Sequence, residues 1–167
     1  MTAGAKMALT DQERIALQRK VVAEHINGEN TGDYEFVRST FVQRDGSFFD
    51  SAAGGLHFDG PAGVAHWYDI LGGVLPDLHI EVTHEYDVPG CSLREMTVSG
   101  THSVDFAGIA PTGRHVTWEA IALYIFDDEE PDKLVGERAY WDNDALIKRM
   151  RGEEAPPLLG LLRRGGR

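Results

Sequence analysis

The stretch that most constrains this chain is residues 100–116, GTHSVDFAGIAPTGRHV. Before it, residues 93–102 (LREMTVSGTH) interleave polar with apolar side chains and are rich in Thr and Val, as a half-buried strand is. After it, residues 114–126 (RHVTWEAIALYIF) form a longer run dense in β-branched and aromatic side chains. Gly108, Pro111 and Gly113 punctuate the interval. Gly supplies positive φ where a turn needs it, and Pro fixes φ and donates nothing to a ladder. A long β-hairpin with an irregular tip follows, and the rest of the chain must pack around it.

The 167 residues suit one domain with a real core. A formal net charge of −11 argues against nucleic acid, whose phosphates demand a basic face, and against an anionic membrane surface. The single cysteine, Cys91 beside Pro89 and Gly90, leaves no internal disulfide and fits a reducing cytoplasm. No signal-peptide core opens the chain and no run approaches a membrane span, so the expected location is cytoplasmic.

Residues 1–9 read as a loose leader, 10–150 as one domain and 151–167 as a tail. Thr10 and Glu13 fit a capping box for a first helix, with Ile15, Val22 and Ile26 on one face, ending near Asn27-Gly28. Residues 34–40 read as a short helix, 41–50 as a first strand and 51–55 as a loop. A third helix starts at Gly60-Pro61, runs through Val64, Trp67 and Ile70, and stops at Gly72-Gly73. Strands are expected over 78–86, 93–102, 114–126 and 134–141, with a bulge in the third suggested by Val116 and Ile121. A last helical turn or two follows at 143–150. The acidic loop 127–132 reads as a solvated turn, and the Leu158, Leu159, Leu161 and Leu162 tail as either disordered or clipped onto a partner subunit.

Helices first and antiparallel strands after is an α+β pattern. The G-T-H and F-x-G-I-x-P-T-G-R-x-V of the hairpin tip, F-x-G-P-x-G-V and P-D-L-x-I within 58–82, and the strand 133–142 ending in an acid resemble the SnoaL-like polyketide cyclases of the nuclear transport factor 2-like superfamily. The resemblance spans about residues 33–142. It implies a cone-shaped α+β barrel: three N-terminal helices packed on a strongly curved, mostly antiparallel sheet around a pocket. It also implies cofactor-independent proton transfer on an apolar small molecule and a homodimer.

Two residues are the candidate catalysts. Asp142 follows Tyr140-Trp141 at a strand end, where a carboxylate can be desolvated. In the cyclases this chain resembles, the acid closing that strand is the proton-transfer residue. Asp142 also suits the N-cap of the following helix. His102, in G-T-H, is either its partner in proton transfer or a structural, hydrogen-bonded histidine. Set against the cyclase pattern I-x-E-x-W-x-x-x-D ending at Asp142, Gly136 and Arg138 stand where Glu and Trp are expected. Arg138, Tyr140 and Asp142 then share one strand face, either a pocket wall or an exposed stripe.

Trp118 and Tyr140 are candidates for an apolar slot, and His66 with Trp67 for the pocket mouth. Asp105 reads as turn chemistry, and Arg114 as a positioning residue. His57, His66, His79 and His84 have no metal-ligand spacing among them, and Ser51 and Ser103 lack a nucleophile elbow, so neither a metal nor a serine nucleophile is expected.

Three functions stay open. The first is acid/base enolisation of an apolar carbonyl compound, ending in aldol cyclisation or isomerisation. The second is epoxide opening by an acid–arginine–acid cluster drawing on Arg138 and Asp142. The third is a non-enzymatic module that binds a hydrophobic ligand or dimerises.

Overall fold

The structure is a computed structural model describing residues 9–158. The part of the expected tail beyond Leu158 lies outside the described residues. Helix α1 (Asp11–Thr31) opens on the expected capping box: Thr10 accepts from the Glu13 backbone N–H, and Glu13 accepts from that of Thr10 at 2.9 Å. It runs past Gly28 and ends at Gly32, in the left-handed conformation at φ 70°. Gly28 stays helical because its use is contact. A Cβ there would lie 2.8 Å from Val37 of α2 (Tyr34–Ser39). Gly72-Gly73 likewise lie inside α3 (Gly60–Val74), where a Cβ on Gly72 would meet the Tyr34 ring at 2.6 Å. Gly28 and Gly72, expected at helix stops, are packing sites.

Residues 41–50 do not make one strand. Only β1 (Phe48–Ser51) does, paired with an unanticipated β2 (Leu56–Asp59), while Phe41 makes an isolated bridge to Leu134. The chain continues through β3 (His79–Val88), β4 (Cys91–Thr101), β5 (His115–Phe126), β6 (Leu134–Trp141) and α4 (Asn143–Arg151). The six strands are ordered β2-β1-β6-β5-β4-β3 and are antiparallel except where β1 runs parallel to β6. A mixed α+β architecture with a mostly antiparallel sheet is therefore the observed fold. The bulge expected in β5 lies elsewhere: β5 alternates regularly, and register shifts fall in β3 between Val82 and His84 and in the β5–β6 pairing after Ile125.

One face of the sheet packs on the helices. Val116, Trp118, Ala120, Ala122 and Tyr124 of β5 join Val22 and Ile26 of α1, Val64, Trp67 and Tyr68 of α3, and Leu146 and Met150 of α4 in a single core. A polar cluster closes one end: Arg94 of β4, 2% exposed at its side chain, pairs with the fully buried Asp87 at 2.9 Å. Gln18 of α1 ties down the adjoining turn through Val88 O and Gly90 N. No helix among the described residues is long and apolar enough to cross a membrane.

Candidate functional site

Four buried polar side chains meet where α1, α3 and β6 converge. His25 and Glu29 are four residues apart in α1 and so lie on one helix face. Tyr68 comes from α3, and Glu137 points inward from β6 with its period-two neighbours Ala139 and Trp141. None of the four is more than 4% exposed. The Tyr68 hydroxyl donates to Glu137 Oε2 at 2.8 Å. His25 Nε2 lies 3.1 Å from that hydroxyl, 3.4 Å from Glu137 Oε2 and 3.9 Å from Glu29 Oε2.

Proton bookkeeping fixes the imidazole's orientation. Thr40 Oγ1 donates to Val37 O at 2.7 Å, so it accepts from His25 Nδ1 at 2.8 Å. The Nε2 side therefore faces only oxygens: the Tyr68 hydroxyl and the two carboxyl groups.

Glu29 and Glu137 reach into a cavity that encloses about 80 Å³ of free space. Its wall is otherwise apolar and includes Phe49, Trp67, Phe106, Trp118 and Trp141. Phe106 is delivered by the hairpin tip, where Phe106 and Ile109 bridge across Ala107 and Gly108, both at positive φ. Glu29 Oε2 is buried with no hydrogen-bond partner among the described residues.

Burial, and after it the Glu137 charge, hold the Glu29 carboxyl well above its ordinary value, so Glu29 is the proton-bearing acid of the pair. Burial, and after it the Glu137 charge, likewise keep Tyr68 a neutral phenol. A raised folded-state value contributes stability that is complete below the unfolded value and lost as pH rises through the folded one. Wild-type Tm is therefore expected to fall as pH is raised from 5 to 9. Glu29→Gln, which carries no titrating proton, should flatten that slope by at least about 3 °C over the interval, read by calorimetry. Equal slopes would show that Glu29 ionises freely.

Of the sequence candidates, Trp67 and Trp118 line the cavity and five residues do not. Asp142 is exposed, and its carboxylate accepts from Ala145 N at 2.9 Å as the N-cap of α4. His102 is fully buried but serves the hairpin: its backbone pairs with Gly113 and Arg114, and Nδ1 lies 3.1 Å from Thr112 Oγ1. Arg138 and Tyr140 alternate with Glu137 and so face outward. Arg138 pairs with Asp50 at 2.8 Å and Tyr140 is 42% exposed. His66 is exposed on α3, edge-on to Phe58.

His25, Glu29, Tyr68 and Glu137 escaped the sequence reading, although two signals point to them. H-x-x-x-E in α1 interrupts the apolar stripe of Val22 and Ile26, and Glu137 has inward parity beside Ala139. His25, Glu29 and Glu137 also present ligand atoms within 4.8 Å of one another, a set able to hold a divalent cation.

A mostly antiparallel sheet covered by helices on one face, around an apolar cavity, is a nuclear transport factor 2-like fold. The chain belongs to the SnoaL-like polyketide cyclase family, which it matches over residues 19–149. Among solved structures it is similar to AclR, a candidate hydroxylase from Streptomyces galilaeus, at 20% identity over 90% of this chain and 91% of that one, TM-score 0.70. A candidate SnoaL-like polyketide cyclase from Jannaschia sp. CCS1 gives 17% identity, 92% and 100% coverage and TM-score 0.69. SalBIII, an epoxide hydrolase/cyclase-like enzyme of pyran ring formation in salinomycin, gives 18%, 80% and 93%, and 0.64. No curated protein matches this chain.

Proposed function

We propose that this protein is a cofactor-independent enzyme that moves a proton α to the carbonyl of an apolar small molecule, with the cavity as its site. The observation that carries the reading is two buried carboxyl groups with separated roles. Glu29 is held protonated, and Glu137 is the acceptor, positioned by Tyr68 and His25. Glu137 takes the proton from the α-carbon, and the electron pair of that C–H bond moves into the enolate. Glu29 gives its proton to the developing oxyanion, and the apolar wall excludes water that would compete. The enol then either closes on a second carbonyl of the same molecule, forming the carbon–carbon bond of an aldol, or is reprotonated at another carbon as an isomer.

The test needs no knowledge of the natural substrate. 1-Indanone in D₂O should exchange its C2 protons faster with protein than in buffer, followed by proton NMR. Exchange at the buffer rate, with the ketone bound, would sink the enzymatic reading and leave a ligand-binding module.

The same pair favours a second reading, epoxide opening. Glu29 would protonate the epoxide oxygen while Glu137 deprotonates the attacking hydroxyl or water, and the fold is shared with SalBIII. Arg138 takes no part, since it faces away from the cavity.

The reading includes a homodimer and keeps the cytoplasmic location suggested by the lone cysteine. Tyr86, Leu93 and Leu123 form one row across the outer sheet face, and Ile121 pairs with Tyr140 on the same face. Ile121→Asp should convert a dimer to a monomer in light scattering. An unchanged mass would place the interface elsewhere.

A further inference from the structure

His25 donates its Nδ1–H to Thr40 Oγ1 at 2.8 Å, and in the neutral ring that leaves the Nε2 lone pair facing the cluster. None of the oxygens it meets has a proton placed for it. The Tyr68 hydroxyl donates to Glu137 Oε2 at 2.8 Å, and Glu29 Oε2, 3.9 Å away, is beyond hydrogen-bond reach. Glu29 is 4% exposed, and that oxygen has no hydrogen-bond partner among the described residues. A nitrogen lone pair and two carboxyl groups thus converge, their ligand atoms all within 4.8 Å of one another. The ligand atoms of a cation site face one another in this way rather than open space.

The donor set and its spacing suit zinc. Bonds of about 2.0–2.2 Å from zinc to imidazole nitrogen and carboxylate oxygen set tetrahedral ligands roughly 3.4 Å apart. His25 Nε2 stands 3.4 Å from Glu137 Oε2 and 3.9 Å from Glu29 Oε2. H-x-x-x-E puts two ligands one turn apart on a helix, and β6 brings the third. The outer contacts fit as well. Thr40 fixes the His25 ring and Tyr68 holds Glu137, the supports that metal ligands commonly have. Mg²⁺ and Ca²⁺ fit poorly, because both prefer larger shells made of oxygen.

We propose that His25, Glu29 and Glu137 form a binding site for Zn²⁺, or a cation of like coordination, and that the bound ion inhibits by occupying the acid and the base together. The binding is independent of the proton-transfer reading, and the inhibition rests on it. The ion takes deprotonated ligands, so it displaces the Glu29 proton and ties up the carboxylate that would accept one from substrate.

The experiment uses the full chain, freed of metal by chelation and titrated with ZnCl₂ in a calorimeter. One Zn²⁺ per chain should bind, and a concentration of about a hundred times Kd should raise Tm by about 5–10 °C. Co²⁺ should develop the visible absorption of a tetrahedral site, which the hydrated ion lacks. Mg²⁺ at the same concentration should leave Tm unchanged. Glu29→Gln and His25→Gln should each weaken Zn²⁺ by about tenfold or more, since loss of even an outer partner commonly costs that much. His57→Gln and His84→Gln, which break the surface pairs with Asp50 and Glu95, should leave its affinity within about twofold.

No zinc binding, a Glu29→Gln affinity equal to wild type, or an equal response to Mg²⁺ overturns the site. Binding lost only with His57 or His84 is adventitious surface binding and overturns it too. Wild-type calorimetry and the Co²⁺ spectrum decide the matter even if a variant fails to fold. Bound Zn²⁺ should also stop the deuterium exchange of 1-indanone, and EDTA should restore it; exchange that continues with Zn²⁺ bound overturns the inhibition. Zinc binding without exchange in the metal-free protein removes the proton-transfer reading and leaves the site standing; exchange without zinc binding does the reverse.

Discussion

Glu137→Gln is expected to reduce the protein-dependent deuterium exchange of 1-indanone by about 10²- to 10⁴-fold, the range that loss of a positioned base produces. Gln keeps the size of Glu and an oxygen able to accept from Tyr68, so the core around it should survive. The amide has no basic oxygen to take the α-proton. Tm within about 3 °C of wild type is the control that separates lost chemistry from lost fold. The pH profile adds a second signature. Glu29 is raised by burial and by the Glu137 charge, so the acid is present at neutral pH and lost as pH climbs through its elevated value. Wild-type activity should decline on that alkaline limb. In Glu137→Gln the neighbouring charge is gone, Glu29 titrates lower, and its limb shifts to lower pH. Wild-type exchange persisting in the variant would remove Glu137 from the mechanism.

Asp87→Ala is expected to destabilise the fold by about 3–5 kcal/mol, because it leaves the buried Arg94 guanidinium with only the half-exposed Glu85, 3.8 Å away, as an ionic partner. Arg19 also pairs with Asp87, but its side chain is 59% exposed and water replaces that partner cheaply. For a chain of this size the loss lowers Tm by about 6–20 °C. Replacing both members, Asp87→Leu with Arg94→Met, should recover most of it, since no buried charge remains.

The acid limb has a definite sign. Burial raises the Asp87 carboxyl, but hydrogen bonds from Arg19 and Arg94 outweigh it and leave it below the ordinary value. Stability from this group is present above the unfolded value and lost as pH falls through the folded one. Wild type should therefore lose Tm on acidification more steeply than the double variant. A single variant no less stable than wild type would show that Arg94 reaches water.

Local signals in the chain settle much of this protein. The Thr10–Glu13 capping box starts α1 where expected, because its two hydrogen bonds depend only on residues three apart. The Gly60-Pro61 start of α3 and the 134–141 strand hold for the same reason. The motifs of the hairpin tip and third helix identify the family correctly. Gly63 in F-x-G-P-x-G-V sits where a Cβ would lie 2.8 Å from the Phe58 backbone, so the pattern records a close approach of α3 to β2.

Contacts between distant segments decide the remainder. Gly28 and Gly72 read locally as helix stops, yet neighbouring side chains that no window contains make them packing sites. Asp142 ends a strand next to aromatics, but strand end and cavity floor are different places, and α4 claims its carboxylate. Glu137 stands five residues earlier, and inward parity alone separates it from the outward-facing Arg138. Its role appears only when α1 brings His25 and Glu29, over one hundred residues away in sequence, within 4.8 Å. Hydrogen-bonding propensity and side-chain period act over a few residues and are written in order along the chain. Burial, which raises an acid, exists only once the sheet and helices have closed on one another.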